Sequence, residues 1–259
     1  MTDERSADLS IAARALASAR YAIALVGAGI SVESGIPPFR GAGGLWTKRG
    51  EPPMDGYRRF LADPAAAWQE MLARRASGDE FSRALAAAAP NPAHHALARL
   101  ERIGVLRHTI TQNIDNLHFV AGSSAVTEIH GNRTKVRCIG CGGRWPLAEA
   151  DLRELPPRCS HCGGVLKSDT VMFGETIPEA ALRSCYEEVE RADCMLIAGT
   201  SATVTPAAWF PEMVLERGGT LIEMNPEPMP FSAHAAAALR QPAGEALPAL
   251  VRAVEAARR

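Results

Sequence analysis

Aromatic residues are scarce in this chain of 259 residues, at 5% of the total, and no aromatic platform is interleaved with the basic segment 132–168. That disfavours a module that binds single-stranded nucleic acid by stacking bases. Charge of one sign is also missing. Lys and Arg number 28 against 29 Asp and Glu, a net charge of −1, so a surface that tracks phosphates is not the main business of the chain. Six cysteines are too few for a disulfide scaffold. Long apolar runs are absent: the most apolar stretch, Ile11 to Ile30, is broken by Arg14 and Arg20, whereas a membrane span needs ~20 nearly uninterrupted apolar residues. The opening MTDERSADLS lacks the basic-then-apolar order of a signal peptide, so a reducing, cytoplasmic compartment is expected.

What is present is a helix–strand alternation. With 47% hydrophobic residues, a chain of this size buries ~70–75% of its unfolded surface without staples. Segment 6–20 reads as an opening helix. Short apolar runs at Tyr21–Val26, Arg107–Thr111, Val126–Ile129, Cys194–Ala198 and Thr220–Met224 read as buried parallel strands. They end in GAGIS, TQNID, HG, GTS and NPEP. Such alternation predicts an α/β fold with a doubly wound parallel sheet, whose strand carboxyl ends form one ligand-binding rim. Two stretches interrupt it: 42–90, with Ala-rich amphipathic helices near 64–76 and 79–89, and 132–169, which holds a cysteine cluster. The expected division is 1–41, 91–131 and 170–259 as a Rossmann-like domain, with 42–90 and 132–169 as a small domain. Asn91-Pro92 supplies a cap and a first-turn proline for a helix carrying Ala93, Ala96, Leu97, Leu100 and Ile103 on one face, ended by Gly104.

Gly27 and Gly29 begin a glycine-rich turn, but Val32 stands where a strict G-x-G-x-x-G has its third glycine, and Pro37-Pro38 follow instead of a helix. The glycines would let backbone N–H groups approach a pyrophosphate. The departure disfavours an ordinary hydride-transfer dehydrogenase. Cys138-x₂-Cys141-x₁₇-Cys159-x₂-Cys162 has the spacing of a four-thiolate zinc site. Four thiolates leave no place for an activated water, so the expected zinc is structural, with Lys135, Arg137 and Arg158 offsetting its negative charge. His161 is expected to face solvent, and Cys185 and Cys194 to be core residues. Past one strand end, Asn113, Asp115 and Asn116 exceed what a helix cap needs. His130 lies at another strand end beside Gly131, where a neutral imidazole suits abstraction of a hydroxyl proton. His94, His95, His108, His118 and His234 lack such a setting and read as structural or surface residues.

Taken together, GAGISVESGIPPFRG (27–41), TQNIDNLH (111–118), HG (130–131), the paired CxxC module, VMFGE (171–175), GTSATVTPAA (199–208), NPEP (225–228) and AGEALPAL (243–250) resemble the sirtuins, NAD-dependent protein deacylases, in the family's order and over nearly the whole chain. The resemblance implies NAD held between the two domains. Gly27, Ala28, Gly29, Ile30, Ser31, Pro38, Phe39 and Arg40 would bind it, the last two near the reacting ribose. Gln112, Asn113, Ile114 and Asp115 would hold nicotinamide and ribose. Gly199, Thr200 and Ser201 would line the phosphate path, Asn225, Pro226 and Glu227 the adenine-ribose end, and Ala243 the adenine. His130 and Asn113 are the implied catalytic residues, and Val171 and Phe173 would border the acyl-lysine tunnel. The implied reaction has the acyl oxygen displace nicotinamide from C1′ of the ribose, His130 then activating a ribose hydroxyl. Free lysine and O-acyl-ADP-ribose result.

Two positions depart from the family pattern. Pro38 stands where Asp or Thr is usual, which implies altered loop stiffness. Sirtuins that remove succinyl or malonyl groups carry Tyr-x-x-Arg in the helical insert, and the best register here keeps Arg74 but replaces tyrosine with Met71. Met71 favours apolar acyl groups; Arg74 could pair with an acidic one or be a solvated helix arginine. Deacetylation of acyl-lysine proteins or peptides is the leading expectation. Mono-ADP-ribosyl transfer from the same NAD site is the alternative. A zinc-ribbon module for nucleic acid, suggested only by seven Lys/Arg against three Asp/Glu in 132–168, is disfavoured.

Overall fold

The computed structural model describes residues 2–41 and 43–259, without the side chains of residues 2–5 and Arg49. The chain opens with α1 (Thr2–Ser18) and β1 (Ala22–Val26), then 3₁₀ turns over Ala28–Ser34. The first inserted stretch holds α2 (Leu45–Arg49), α3 (Gly56–Ala62), α4 (Pro64–Ser77) and α5 (Glu80–Ala87). Next come α6 (Pro92–Arg102), β2 (Leu106–Thr111), α7 (Leu117–Val120) and β3 (Val126–Glu128). A ribbon of β4 (Lys135–Cys138), β5 (Arg144–Pro146) and β6 (Leu166–Ser168) follows. The chain closes with α8 (Glu179–Arg191), β7 (Cys194–Ala198), α9 (Phe210–Glu216), β8 (Thr220–Met224), β9 (Ala237–Leu239) and α10 (Ala243–Ala257).

Six strands form one parallel sheet in the order β3-β2-β1-β7-β8-β9. The central pair alternates strictly between two cores. Ala22, Ala24, Val26, Cys194, Leu196 and Ala198 join the cluster containing α1, α6 and α10 residues, whereas Ile23, Leu25, Met195 and Ile197 join the one beneath α8 and α9. Each fully buried Leu, Ile or Met in these layers contributes roughly 1.5–3 kcal/mol of burial free energy. Cys185 and Cys194 are core residues as expected, and burial pushes both thiols up to about 12, which keeps them protonated. The strand order reverses between β1 and β7, so the turns that leave these two strands flank the crevice where doubly wound sheets bind ligands.

Local chemistry explains where elements begin and end. Asn91 caps α6 through Ala93 N–H at 2.9 Å with Pro92 in the first turn, and α6 stops at Arg102, ahead of Gly104 with φ +72°. Asp63 and Asp79 cap α4 and α5 in the same way. The opening helix stops at Ser18, short of residue 20, because the Asp193 carboxylate takes the N–H groups of Arg20 and Tyr21 at 3.0 and 2.9 Å and turns the chain into β1. Helices α2 and α3 were not legible in the Pro-rich stretch before α4. The second sheet, β5-β4-β6, is antiparallel, and Val136, Cys138, Cys159 and Leu166 share a third core cluster with Phe60 and Trp68 of α3 and α4. Trp68 ties the two parts directly, donating its indole N–H to Leu166 O at 2.7 Å.

Candidate active site

The glycine turn after β1 meets the turn after β7 backbone to backbone. Gly27 N–H donates to Ala198 O at 3.2 Å and Gly29 N–H to Gly199 O at 2.7 Å. A Cβ on Gly29 would lie 2.7 Å from Gly199 Cα, and one on Gly27 would lie 2.8 Å from Thr200 Cβ. Both glycines are therefore required by the contact between two strand-end turns, a reason different from direct approach to a pyrophosphate. Ser31, buried within the 3₁₀ turns, gathers the polar groups that follow β2. It donates to Asp115 Oδ2 at 2.7 Å and accepts from Asn113 Nδ2 at 3.1 Å, while the same amide reaches Gly27 O at 3.1 Å. Asp115 also caps α7 through Leu117 N–H, so capping accounts for one of its oxygens and the Ser31 bond for the other.

Beneath this network lie two histidines that the sequence left without a role. His94 Nε2 is 3.4 Å from Ser31 Oγ, its Nδ1 accepts from Asn91 N–H, and its ring meets that of His118 edge-on at 5.1 Å. Burial lowers His94 to about 3, helped by the neighbouring His118, and burial alone lowers His118 to about 4. Both are neutral at physiological pH. The only sequence signal for His94 was its third position in the capping box opened by Asn91.

His130 lies just past β3, half-buried. Its Nδ1 is 3.1 Å from Gln112 O. A carbonyl only accepts, so Nδ1 carries the proton and Nε2 is the basic nitrogen. Burial lowers its pKa below the ordinary histidine value, partly opposed by the Gln112 bond. Gln112 in turn donates to Thr200 Oγ1 at 2.9 Å, linking β2's end to β7's end. Ile114 is half-buried and its carbonyl accepts Arg133 N–H.

Of the remaining predicted residues, Gly199, Thr200 and Ser201 follow β7 and Asn225, Pro226 and Glu227 follow β8. Gly199 has φ +60°, Thr200 is buried, and Ser201 is exposed with its hydroxyl 2.9 Å from Thr203 Oγ1. Asn225 closes its own turn by donating to Glu227 O, with Pro226 exposed at its tip. Ala243 begins α10, whose Gly244 N–H is held by Glu33 Oε2 at 2.6 Å. Glu33 thereby joins the glycine turn to α10, a link that sequence spacing did not reveal. Pro38 contributes its carbonyl to Leu45 N–H. Phe39 stacks near Trp46 at 4.8 Å, and Arg40 lies over the same ring while pairing with Glu51. Trp46 also meets Phe173 edge-on at 5.6 Å, so Phe39, Arg40 and the VMFGE segment share one aromatic group. Val171 is half-buried, and its N–H donates to His130 O at 2.9 Å. Met71 is half-buried and packs against the core cluster that contains Trp68. Arg74 faces solvent and pairs with Glu70; the arginine that turns inward is Arg75, which donates to Arg133 O at 2.9 Å.

Among the described residues, one group of side chains fits a metal ion: Cys138, Cys141, Cys159 and Cys162, with all sulfurs within 4.8 Å of one another. Cys138 and Cys162 are 3.5 Å apart and Cys141 and Cys159 3.8 Å. A tetrahedron with Zn–S of about 2.3 Å has edges of about 3.8 Å, so the donor set and spacing fit zinc. Burial alone would raise the Cys138 pKa, but the N–H groups of Cys141 and Gly140 hold it at about 7. His161 is exposed as expected. Of the cations expected to offset the site's charge, Arg137 pairs with Asp169 and Lys135 with Glu128, and Arg158 is exposed.

Residues 27–206 match the model of the Sir2 family. A curated relative from Thermococcus kodakarensis, named NAD-dependent protein deacylase, is 45% identical over 95% of this chain and 96% of its own. The chain belongs to the Sir2 family. Among solved structures, a Sir2 homologue in complex with NAD is 40% identical with a TM-score of 0.78, over 95% of this chain and 94% of that one. A Sir2 enzyme with a deacetylated p53 peptide and 3′-O-acetyl ADP-ribose is 32% identical with a TM-score of 0.76, over 93% of this chain and 96% of that one. As a Sir2 chain, it carries the strand-end turns and His130 on the expected parallel sheet, and the four cysteines on the separate antiparallel ribbon.

Proposed function

We propose that this chain is an NAD-dependent protein lysine deacylase, with deacetylation its leading activity, yielding nicotinamide, O-acyl-ADP-ribose and free lysine. The observation that carries the reading is His130, neutral and held by Gln112 O, at a strand end that shares one rim with the Asn113–Ser31–Asp115 network. Bound NAD supplies a ribose carbon with a ready leaving group, nicotinamide, for displacement by an acyl oxygen. Asn113, Asp115 and Ser31 would orient that ribose, and His130 Nε2 would take the proton of its attacking hydroxyl. Gly199, Thr200, Ser201, Asn225 and Ala243 would follow the nucleotide along the ends of β7, β8 and α10.

Acyl-lysine proteins or peptides are the substrates. Val171 and Phe173 would border the acyl-lysine, and the solvated placement of Arg74 beside Glu70 supports apolar acyl groups over acidic ones. The proposed division sets 1–41, 91–131 and 170–259 against 42–90 and 132–169; the separate antiparallel ribbon and its core with α3 and α4 support it. Zinc would be held by Cys138, Cys141, Cys159 and Cys162 as a structural ion. Such a site needs reduced cysteines, and a cytoplasmic setting is proposed on that ground. Among the described residues no helix is long and apolar enough to cross a membrane. Arg137, Arg144 and Lys135 of the ribbon are engaged by carboxylates, which supports the reading that it does not bind nucleic acid.

The test is incubation with NAD and a panel of acetyl-, butyryl-, succinyl- and longer-chain acyl-lysine peptides. Nicotinamide and O-acyl-ADP-ribose should appear in step, fastest for an apolar acyl group. Nicotinamide release independent of peptide, with label on protein, would replace this reading with ADP-ribosyl transfer.

A further inference from the structure

The turn that carries His130 is held from two sides. The sheet holds it through Gln112 O, as above. The other side is a buried charge cluster to which the reaction assigns nothing. Asp169, with a side chain 0% exposed, follows β6 directly. It accepts both Nε and Nη2 of Arg137 on β4, at 2.8 and 2.5 Å, and both Nε and Nη2 of Arg144 on β5, at 2.8 and 2.5 Å. Its fifth donor is Asn132 N–H at 2.7 Å, two residues beyond His130. Glu128, two residues before His130, accepts from Arg144, Lys135 and the Asn132 side chain.

The backbone is equally committed. Gly131 has φ +75°, and a Cβ there would run into the Asp169 carbonyl. Asp169 N–H donates to Lys135 O at 3.0 Å and Val171 N–H to His130 O at 2.9 Å. Glu128, His130 and Asn132 thus bond to the ribbon or to the segment leaving it, while Gly131 closes the turn by donating its N–H to Glu128 O. An isolated carboxylate this deeply buried is costly; two guanidinium partners, each with two donors on one carboxylate oxygen, Arg137 on Oδ1 and Arg144 on Oδ2, offset that cost only in one geometry. That geometry depends on β4 and β5 lying side by side, and β4 ends in Cys138.

We infer that Asp169, held by Arg137 and Arg144, is a positioning residue that sets the place of His130 from the zinc-ribbon side. The ribbon then does more than stabilise the fold: it supplies one of the two abutments of the general base. This rests on the deacylase reading and deepens it. In that reading nicotinamide leaves before His130 takes a proton, so the two stages respond separately to a displaced base.

The experiment compares the wild type with Asp169→Asn, Arg144→Gln and Arg144→Lys, each at one zinc per chain. Two rates are measured: acetyl-peptide-dependent exchange of labelled nicotinamide into NAD, and formation of deacetylated peptide. For Asp169→Asn, peptide formation should fall about 10–100-fold while exchange stays within about 3-fold of wild type. Arg144→Gln should show the same split, and Arg144→Lys should recover part of it. Should Asp169→Asn fail to fold, Arg144→Gln decides, since that side chain is a third exposed. Exchange and peptide formation falling in parallel, or neither changing, would overturn the inference. A wild type without peptide-dependent nicotinamide release would instead remove the deacylase reading itself.

Discussion

A single hydrogen bond decides what His130 is able to do. Because the Gln112 carbonyl only accepts, the ring is fixed as the Nδ1–H tautomer and Nε2 is left basic. Burial lowers its pKa, so the neutral, proton-accepting form persists below the usual histidine range. The active form is lost as pH falls through that lowered value. The acid limb of kcat for the acetyl peptide should therefore have its midpoint below 6.5. His130→Ala should lose about 10²–10⁴-fold in turnover with NAD affinity largely kept, measured by product formation and calorimetry. An acid limb above 6.5, or an alanine variant within a few-fold of wild type, would contradict the assignment. His130 was legible in sequence from its strand-end position beside glycine. His94 and His118 were not, since nothing local distinguishes a helix histidine that faces solvent, as His95 does, from its neighbour that faces Ser31.

At the level of elements, the zinc ribbon is the part least able to fold alone. Its three strands are three or four residues long, below the length at which an isolated sheet is stable in water. Zinc bound by the four cysteines would supply the missing folding energy. Chelation should strip amide-exchange protection from 135–168 while the six-stranded sheet keeps its own, and deacylation should fall with the ribbon. A metal-free ribbon that stays protected would show that packing on α3 and α4 suffices. The cysteine spacing announced this module plainly. The helices before α4 went unseen because proline and glycine there break the apolar period, and α3 takes its packing from the ribbon through Phe60.

For the molecule as a whole, two neutral histidines under the active-site network make stability depend on pH. His94 and His118 titrate near 3 and 4 when folded and near 6.5 when unfolded. Between 6.5 and about 4 the unfolded chain binds the extra protons, so stability falls as pH falls, by up to about 1.4 kcal/mol per pH unit for each histidine. Denaturant titrations of wild type and His118→Phe across this range should show a shallower slope in the variant. Equal slopes would assign the acid sensitivity to other groups.

Sequence by itself determined the parallel sheet, the order of its polar strand ends and the four thiolates, since each is written in local periodicity or fixed spacing. It also located Asn113, Asp115 and His130, because polar groups clustered at strand ends have few reasons to be there. Tertiary structure alone decided what holds them. Gly29 meets Gly199 from 170 residues away, Glu33 reaches Gly244, and Asp169 grips both ribbon arginines and the turn after His130. These are contacts between distant segments, set by how two sheets and their helices close on one another, and no local pattern encodes which carboxylate a given arginine will find.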